Sequence, residues 1–119
     1  MKKLSFINAI SAWENAIKNE DKSKLDELLS DDFVWKNIAM EGEGSKVETI
    51  EWAINVSKEV PGFEIGDYKT IYEGEDILVG THSVNQDDRD ETIVICIANI
   101  SKDGRHITMW RHLRAEYPE

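Results

Sequence analysis

The side chains with the most chemical potential in this sequence are two histidines, His82 and His112, each set in an extended segment rich in apolar residues. Imidazole titrates close to neutral pH and is the side chain best suited to move a proton there. No nucleophile or metal motif accompanies them, since HExxH, CxxC, GxSxG and a glycine-rich phosphate loop are all missing from the sequence. His106 falls beside a turn and, by strand alternation, on the face opposite His112, so neither a three-histidine metal site nor a cofactor is expected. Cys96 has no second cysteine to pair with and lies in an apolar run, where it reads as a small buried hydrophobe. The acidic run Asp87-Asp88-Arg89-Asp90-Glu91 lacks the ligand spacing of a calcium loop and reads as a solvated hairpin tip.

The elements that must position these imidazoles follow from periodicity. Phe6, Ile10, Trp13 and Ile17 repeat at helical spacing, and Leu25, Leu28 and Leu29 suggest a shorter helix that Asp21 can cap. Phe33 to Ile38 is β-branched and aromatic and reads as a strand, with a loop from Met40 to Gly44 and a helix-terminating turn at Ser30-Asp31-Asp32. Ser45-Lys46-Val47-Glu48 is a capping box ahead of Val47, Ile50 and Ile54, and Pro61-Gly62 ends that helix. Trp52 falls beside this stripe and is expected to pack rather than to cover a pocket. Past Gly62 the period drops to two, giving strands over Phe63 to Tyr72, Ile77 to Val84, Glu91 to Ile100 and Arg105 to Tyr117. Three helices with one strand inserted, followed by a run of antiparallel strands, is an α+β plan.

Composition bounds the partners. The 119 residues are 40% apolar and 32% charged, which suits one ordered domain spanning 1–119. Fourteen Lys and Arg against 24 Asp and Glu give a net charge of -10, so nucleic acid and anionic membranes would be repelled. The longest apolar stretch, Ile93 to Ile100, is far too short to span a bilayer. Met1-Lys2-Lys3 is followed by an amphipathic segment without a signal-peptide core, so a cytoplasmic protein is expected.

The two later turns give a strand register. Pairing Val84 with Glu91 sets His82 opposite Ile93, and pairing Ser101 with His106 sets Ile95 opposite His112 and Ile97 opposite Trp110. One face then carries Leu78, Gly80, His82, Val84, Ile93, Ile95, Ile97, Trp110 and His112. The other carries Thr81, Ser83, Val94, Cys96, Ile107, Met109, Arg111 and Leu113. Both faces are too apolar to be fully solvated, so one is expected under the helices and the other against a second copy of the chain. The helix side is either a filled core or a partly hollow pocket into which both imidazoles project.

The stretches Leu28-Leu29-Ser30-Asp31-Asp32-Phe33-Val34-Trp35 and Asp103-Gly104-Arg105-His106-Ile107-Thr108-Met109-Trp110-Arg111 are similar to the helix-to-strand entry and last hairpin of the SnoaL-like, nuclear-transport-factor-2-like superfamily. The resemblance covers nearly the whole chain and implies three helices closing one side of a strongly curved, mixed or antiparallel sheet into a cone with an internal pocket. The family's enzymes can be compared position by position. The Tyr, Asn, Arg, Asp and Trp-Arg-Asp set of limonene-epoxide-hydrolase-like members meets Trp35, Asn37, His82, Val84 and Trp110-Arg111-His112 here. The carboxylate base and oxyanion tyrosine of ketosteroid-isomerase-like members meet Asn37 and Trp13. Neither activity is expected. His82, His112 and Glu14 resemble, in residue type alone, the histidines and helix carboxylate of scytalone-dehydratase-like members.

The resemblance therefore implies a protein that binds a small apolar or aromatic molecule and could transfer protons on a ring or carbonyl compound, as an isomerase, cyclase or dehydratase does. Trp13, Phe33, Trp35, Trp110, Val84 and Ile95 would line the pocket, Asn37 would orient the ligand, and His82 or His112 would move the proton. The alternative is a non-catalytic dimerisation or association module of the same fold.

Overall fold

The computed structural model describes residues 4–115. Helix α1 (Phe6–Asn19) starts where the Ser5 hydroxyl accepts the Asn8 amide hydrogen and ends at Glu20, which adopts a left-handed conformation. Its apolar residues recur at steps of three and four, so Phe6, Ile10, Trp13 and Ile17 are all buried along one face. Helix α2 (Ser23–Leu28) is short, and the Asp21 carboxylate accepts both the amide and the hydroxyl hydrogen of Ser23 at its start. Strand β1 (Leu29–Asn37) follows without a break, and β2 (Gly44–Ser45) is a two-residue strand beside it. Helix α3 (Lys46–Glu59) opens on the expected capping box, with Ser45 Oγ 3.2 Å from the Glu48 amide and Glu48 Oε1 3.1 Å from the Ser45 amide.

Strands β3 (Glu64–Glu73), β4 (Ile77–Gln86), β5 (Arg89–Ile100) and β6 (Ile107–Ala115) complete a six-stranded sheet in the order β2-β1-β6-β5-β4-β3. β1 runs parallel to β6 and every other pair is antiparallel, so the sheet is mixed and open, with three helices packed on it. The expected continuation of the last strand to Tyr117 lies outside the described residues. Ser30-Asp31-Asp32 is an irregular part of β1, where the pairing with β6 jumps from Leu29–Ile107 to Val34–Met109.

Helix α1 lies close to the sheet because β4 offers no side chain at Gly80. A β-carbon there would run into the Phe6 ring. The Phe6 amide hydrogen is also held by the Glu73 carboxylate at the end of β3, at 3.0 Å. On the other side, the tip of the β4–β5 hairpin docks through the Asp87 amide onto the Pro61 carbonyl, at 2.9 Å. The acidic tip is thus exposed in its side chains but anchored through its backbone.

The register of β5 differs from the expected one, and two bulges explain it. The β4–β5 turn is tight, with Gln86 opposite Arg89, but β5 carries one extra residue just beyond it, so Val84 meets Thr92 and His82 meets Val94. The β5–β6 hairpin pairs Ile100 with Ile107, and β6 then inserts Thr108, so Asn99 meets Met109 and Cys96 meets His112. Each bulge moves β5 by one residue against a neighbour, which exchanges its two faces. Thr92, Val94, Cys96 and Ala98 therefore lie under the helices, with Ile93, Ile95 and Ile97 on the outside. Three residues expected on the outer, self-associating face (Val94, Cys96 and Ile107) are instead fully buried in the core.

Candidate functional site

A cavity of about 550 Å³ opens between α1, α3 and the concave face of the sheet. Helix α1 contributes Ile10, Trp13 and Ile17, and β1 contributes Trp35 and Asn37. The loop from Met40 to Gly44 lines it with five consecutive residues, and Glu48, Thr49 and Trp52 of α3 lie beside that loop. Phe63 and Ile65 bound the far side, while His82, Val84, Val94, Trp110, His112 and Arg114 project from β4, β5 and β6. Its size is in the range that accommodates a small organic ligand.

The aromatic wall is one packed unit. Trp13 and Trp110 meet at 5.4 Å between ring centroids, Phe6 stacks on Trp110 at 6.2 Å, and Trp35 meets the His112 ring edge-on at 4.7 Å. At the rim, Trp52 stands edge-on to Phe63 at 5.6 Å and is 47% exposed, and Met40 is 69% exposed. Trp52 thus borders the cavity, where the sequence suggested simple packing.

Both imidazoles belong to this wall because β4 and β6 present the same face across β5. His82 Nδ1 lies 3.1 Å from the Ser83 carbonyl. A carbonyl can only accept, so Nδ1 carries the hydrogen and Nε2 is left with its lone pair. Burial lowers the pKa of His82, with the Arg114 charge acting in the same direction and the Ser83 bond opposing both. His112 is pushed down to about 4, first by burial, then by His82 and by Arg114. At neutral pH the pair is uncharged. With Nδ1 bonded to the Ser83 carbonyl, His82 presents its Nε2 lone pair as a proton acceptor.

Asn37 lines the cavity with its carbonyl oxygen already accepting the Ala39 amide hydrogen at 3.0 Å, which leaves the side-chain NH₂ as a donor. Two expected lining residues are elsewhere. Phe33 is buried in the core, because the irregular start of β1 sends it beneath the helices, and Ile95 is turned outward and 37% exposed because of the bulges. Glu14 follows Trp13 on α1 and so does not reach the cavity. Cys96 packs against Trp110, and burial pushes its thiol up to about 12, which makes it chemically inert at neutral pH. Among the described residues no group of three His, Cys, Asp or Glu side chains is arranged to hold a metal ion.

Sequence reasoning missed Arg114, although it continues the alternation Trp110, His112, Arg114 along one face of β6. It also missed the Met40–Gly44 loop, whose two glycines flanking Glu43 marked a segment able to bend over a pocket.

The architecture has close counterparts among solved structures. An LEH-like epoxide hydrolase of M. tuberculosis superposes with a TM-score of 0.64 at 23% identity, over 92% of this chain and 81% of that one. A provisionally assigned isomerase of the SnoaL-like family from Agrobacterium tumefaciens gives 0.70 at 11%, over 92% and 93%. An NTF-2 like protein from Burkholderia xenovorans gives 0.68 at 14%, over 93% and 83%. This chain has the SnoaL-like, NTF2-like fold. At the level of sequence, no family profile and no curated protein matches it. His82 and His112 line the cavity on the helix side of this sheet, and the described residues include no helix long and apolar enough to cross a membrane.

Proposed function

We propose that this SnoaL-like protein binds a small, largely apolar ring or carbonyl compound in its cavity and transfers a proton on it through His82. The observation that carries the reading is the convergence of two neutral imidazoles and the Asn37 amide on a cavity walled by Trp13, Trp35 and Trp110. In such a step the Nε2 lone pair of His82 takes a proton from carbon next to the ligand carbonyl. The Asn37 NH₂ donates to the carbonyl oxygen as it gains negative charge, and the imidazolium returns its proton to a second carbon, giving an isomer. The tryptophans hold the ring and keep water from the carbanion. Fold neighbours described as isomerases support a reaction of this class. Inherited epoxide hydrolysis is not proposed, because the cavity's only carboxylates among the described residues, Glu41, Glu43 and Glu48, come from the rim loop and the start of α3.

The test is to release and identify by mass spectrometry the molecule that copurifies, then to follow its conversion. His82→Gln should lower turnover about a hundredfold and His112→Gln less. A protein in which both substitutions keep full turnover has its base elsewhere, and one with no affinity for any ring compound is not a ligand-binding member of this fold.

The outer face supports a second element of the reading, self-association. Ile93, Ile95, Ile97, Met109 and Leu113 form an aliphatic surface there, and a second copy of the chain would cover it.

A further inference from the structure

Thr49 is a buried polar side chain of the cavity that the proton transfer above does not use. It lies near the start of α3, is 6% exposed, and lines the cavity together with Trp52 one turn further on. A threonine inside a helix ordinarily settles its hydroxyl on the backbone carbonyl one turn back. Thr49 makes no such bond, and among the described residues no group hydrogen-bonds to its hydroxyl.

Gly44 shows where that hydroxyl sits. A β-carbon at Gly44 would come 3.6 Å from Thr49 Oγ1 and 3.8 Å from Trp35 Cβ. Gly44 pairs with Trp35 across β1 and β2, so the hydroxyl lies on the β2 side of Trp35. Asn37 and His112 pair across β1 and β6, on the opposite side, and the His112 ring meets Trp35 at 4.7 Å. Because β1 stands between β2 and β6, two strand spacings, about 10 Å, separate the strands that carry Gly44 and His112. The wall around Trp35 therefore has two polar ends. One holds the Asn37 amide and an imidazole, and the other a hydroxyl able to donate or to accept.

We propose that Thr49 is a specificity-determining residue of this cavity and selects ring compounds that carry a hydroxyl on the side away from the reacting carbonyl. The proposal rests on the small-molecule reading above and adds a second functional group to the ligand. A valine has nearly the shape of threonine and would suit a purely apolar ring. A ligand hydroxyl that meets Thr49 gains the net contribution of one neutral hydrogen bond, a factor of about five in affinity.

The experiment uses two probes of one shape, 2-acetylnaphthalene and 6-acetyl-2-naphthol, titrated into the full chain at pH 7 by calorimetry. The naphthol should bind about fivefold or more tighter than the plain ketone. Thr49→Val should bring that ratio close to one by weakening the naphthol, and Thr49→Ser, which keeps the hydroxyl, should restore the preference. Both substitutions leave the Ser45–Glu48 capping box in place, and denaturant unfolding verifies that each variant is folded. A naphthol preference that survives Thr49→Val overturns the proposal, as does a plain ketone that binds the native chain as tightly as the naphthol. Failure of both probes to bind the native chain defeats the small-molecule reading with it.

Discussion

The two faces of the β4-β5-β6 sheet are made of the same strands and have opposite characters. Beneath the helices, His82, Trp110 and His112 form an aromatic and imidazole surface around a cavity, with Cys96 buried on the same side. On the outside, Ile93, Ile95, Ile97 and Leu113 form an aliphatic surface with Arg111 laid across it, its Nη2 3.2 Å from Asn99 Oδ1. Along β5 the boundary falls between consecutive residues, since Ile95 is 37% exposed and Cys96 is 0% exposed. Hydrophobicity does not decide which residue is inside, because both are apolar. The register decides it, and the register depends on one extra residue in β5 and one in β6.

The sharpest way to break this comparison is thiol chemistry at the two adjacent positions. Cys96 in the native protein should react with a thiol reagent only through unfolding, whereas an added thiol in Ile95→Cys should react about a thousandfold faster or more in dilute solution. Rapid modification of Cys96 with protection at position 95 would mean that β5 is paired without its bulges. Mass-spectrometric counting of labels against time reads the result directly.

Truncation separates the faces by energy. Trp110→Ala removes a buried ring that touches both Phe6 and Trp13, and should cost about 3–5 kcal/mol of unfolding free energy. Ile95→Ala, on the outer face of the isolated chain, should cost less than about 1 kcal/mol. Denaturant unfolding of the two variants at low protein concentration gives the comparison. Equal losses would mean that the outer face is as tightly packed as the inner one.

These same residues mark how far the sequence could be read. The helices were legible because capping and apolar spacing are local, as in the Ser45–Glu48 box and the Phe6-to-Ile17 stripe. Of the two turn pairings inferred from the chain, Ser101 with His106 holds, the Ser101 amide donating to the His106 carbonyl at 2.8 Å, whereas Val84 meets Thr92 instead of Glu91. Beyond each turn a bulge displaces the pairing by one residue, and no composition signal marks either bulge. The two displacements act on β5 from opposite sides, so β4 and β6 keep their expected relation. His82 and His112 share the cavity for that reason, while Ile95, Val94 and Cys96 exchange faces. Phe33, expected at the pocket wall, is buried in the core instead, because β1 begins at Leu29 with an irregular segment.

The outer face makes a smaller prediction through association. Ile95→Glu puts a charge in the middle of the aliphatic surface and should weaken a dimer formed there by about tenfold or more, with little change in monomer stability. Sedimentation at micromolar concentration should move from the dimer towards a 13.6 kDa species. A wild-type chain that sediments only as monomer would remove the self-association proposal.

The smallest expected effect is a pH dependence that belongs to the inner face alone. His112 has its pKa lowered from 6.5 to about 4 in the folded chain, and His82 is shifted the same way. Between those values the unfolded chain binds more protons than the folded one, so stability is present above pH 6.5 and is lost as the pH falls towards 4. The groups acting on His112 are His82 and the Arg114 charge, which add to its burial beside Trp35, so among the described residues none in that wall favours its charged form. The slope should be a fraction of the about 1.4 kcal/mol per pH unit of one fully linked proton, because solvent entering the cavity screens the ring. Asp21 and Asp103 act in the same direction at lower pH. Their carboxyls are held below the usual range by hydrogen bonds from the Ser23 backbone and the Ser101 hydroxyl, and they lose that contribution as those depressed pKa values are crossed. Net charge acts oppositely, since acidification relieves the repulsion of a chain at -10. Thermal unfolding of the wild type between pH 7 and 5 should therefore lose stability, and His112→Gln should lose less over the same range. A wild type that grows more stable on acidification to pH 5, or a His112→Gln variant with an unchanged slope, would mean that the inner imidazoles reach water as freely as groups on the outer face.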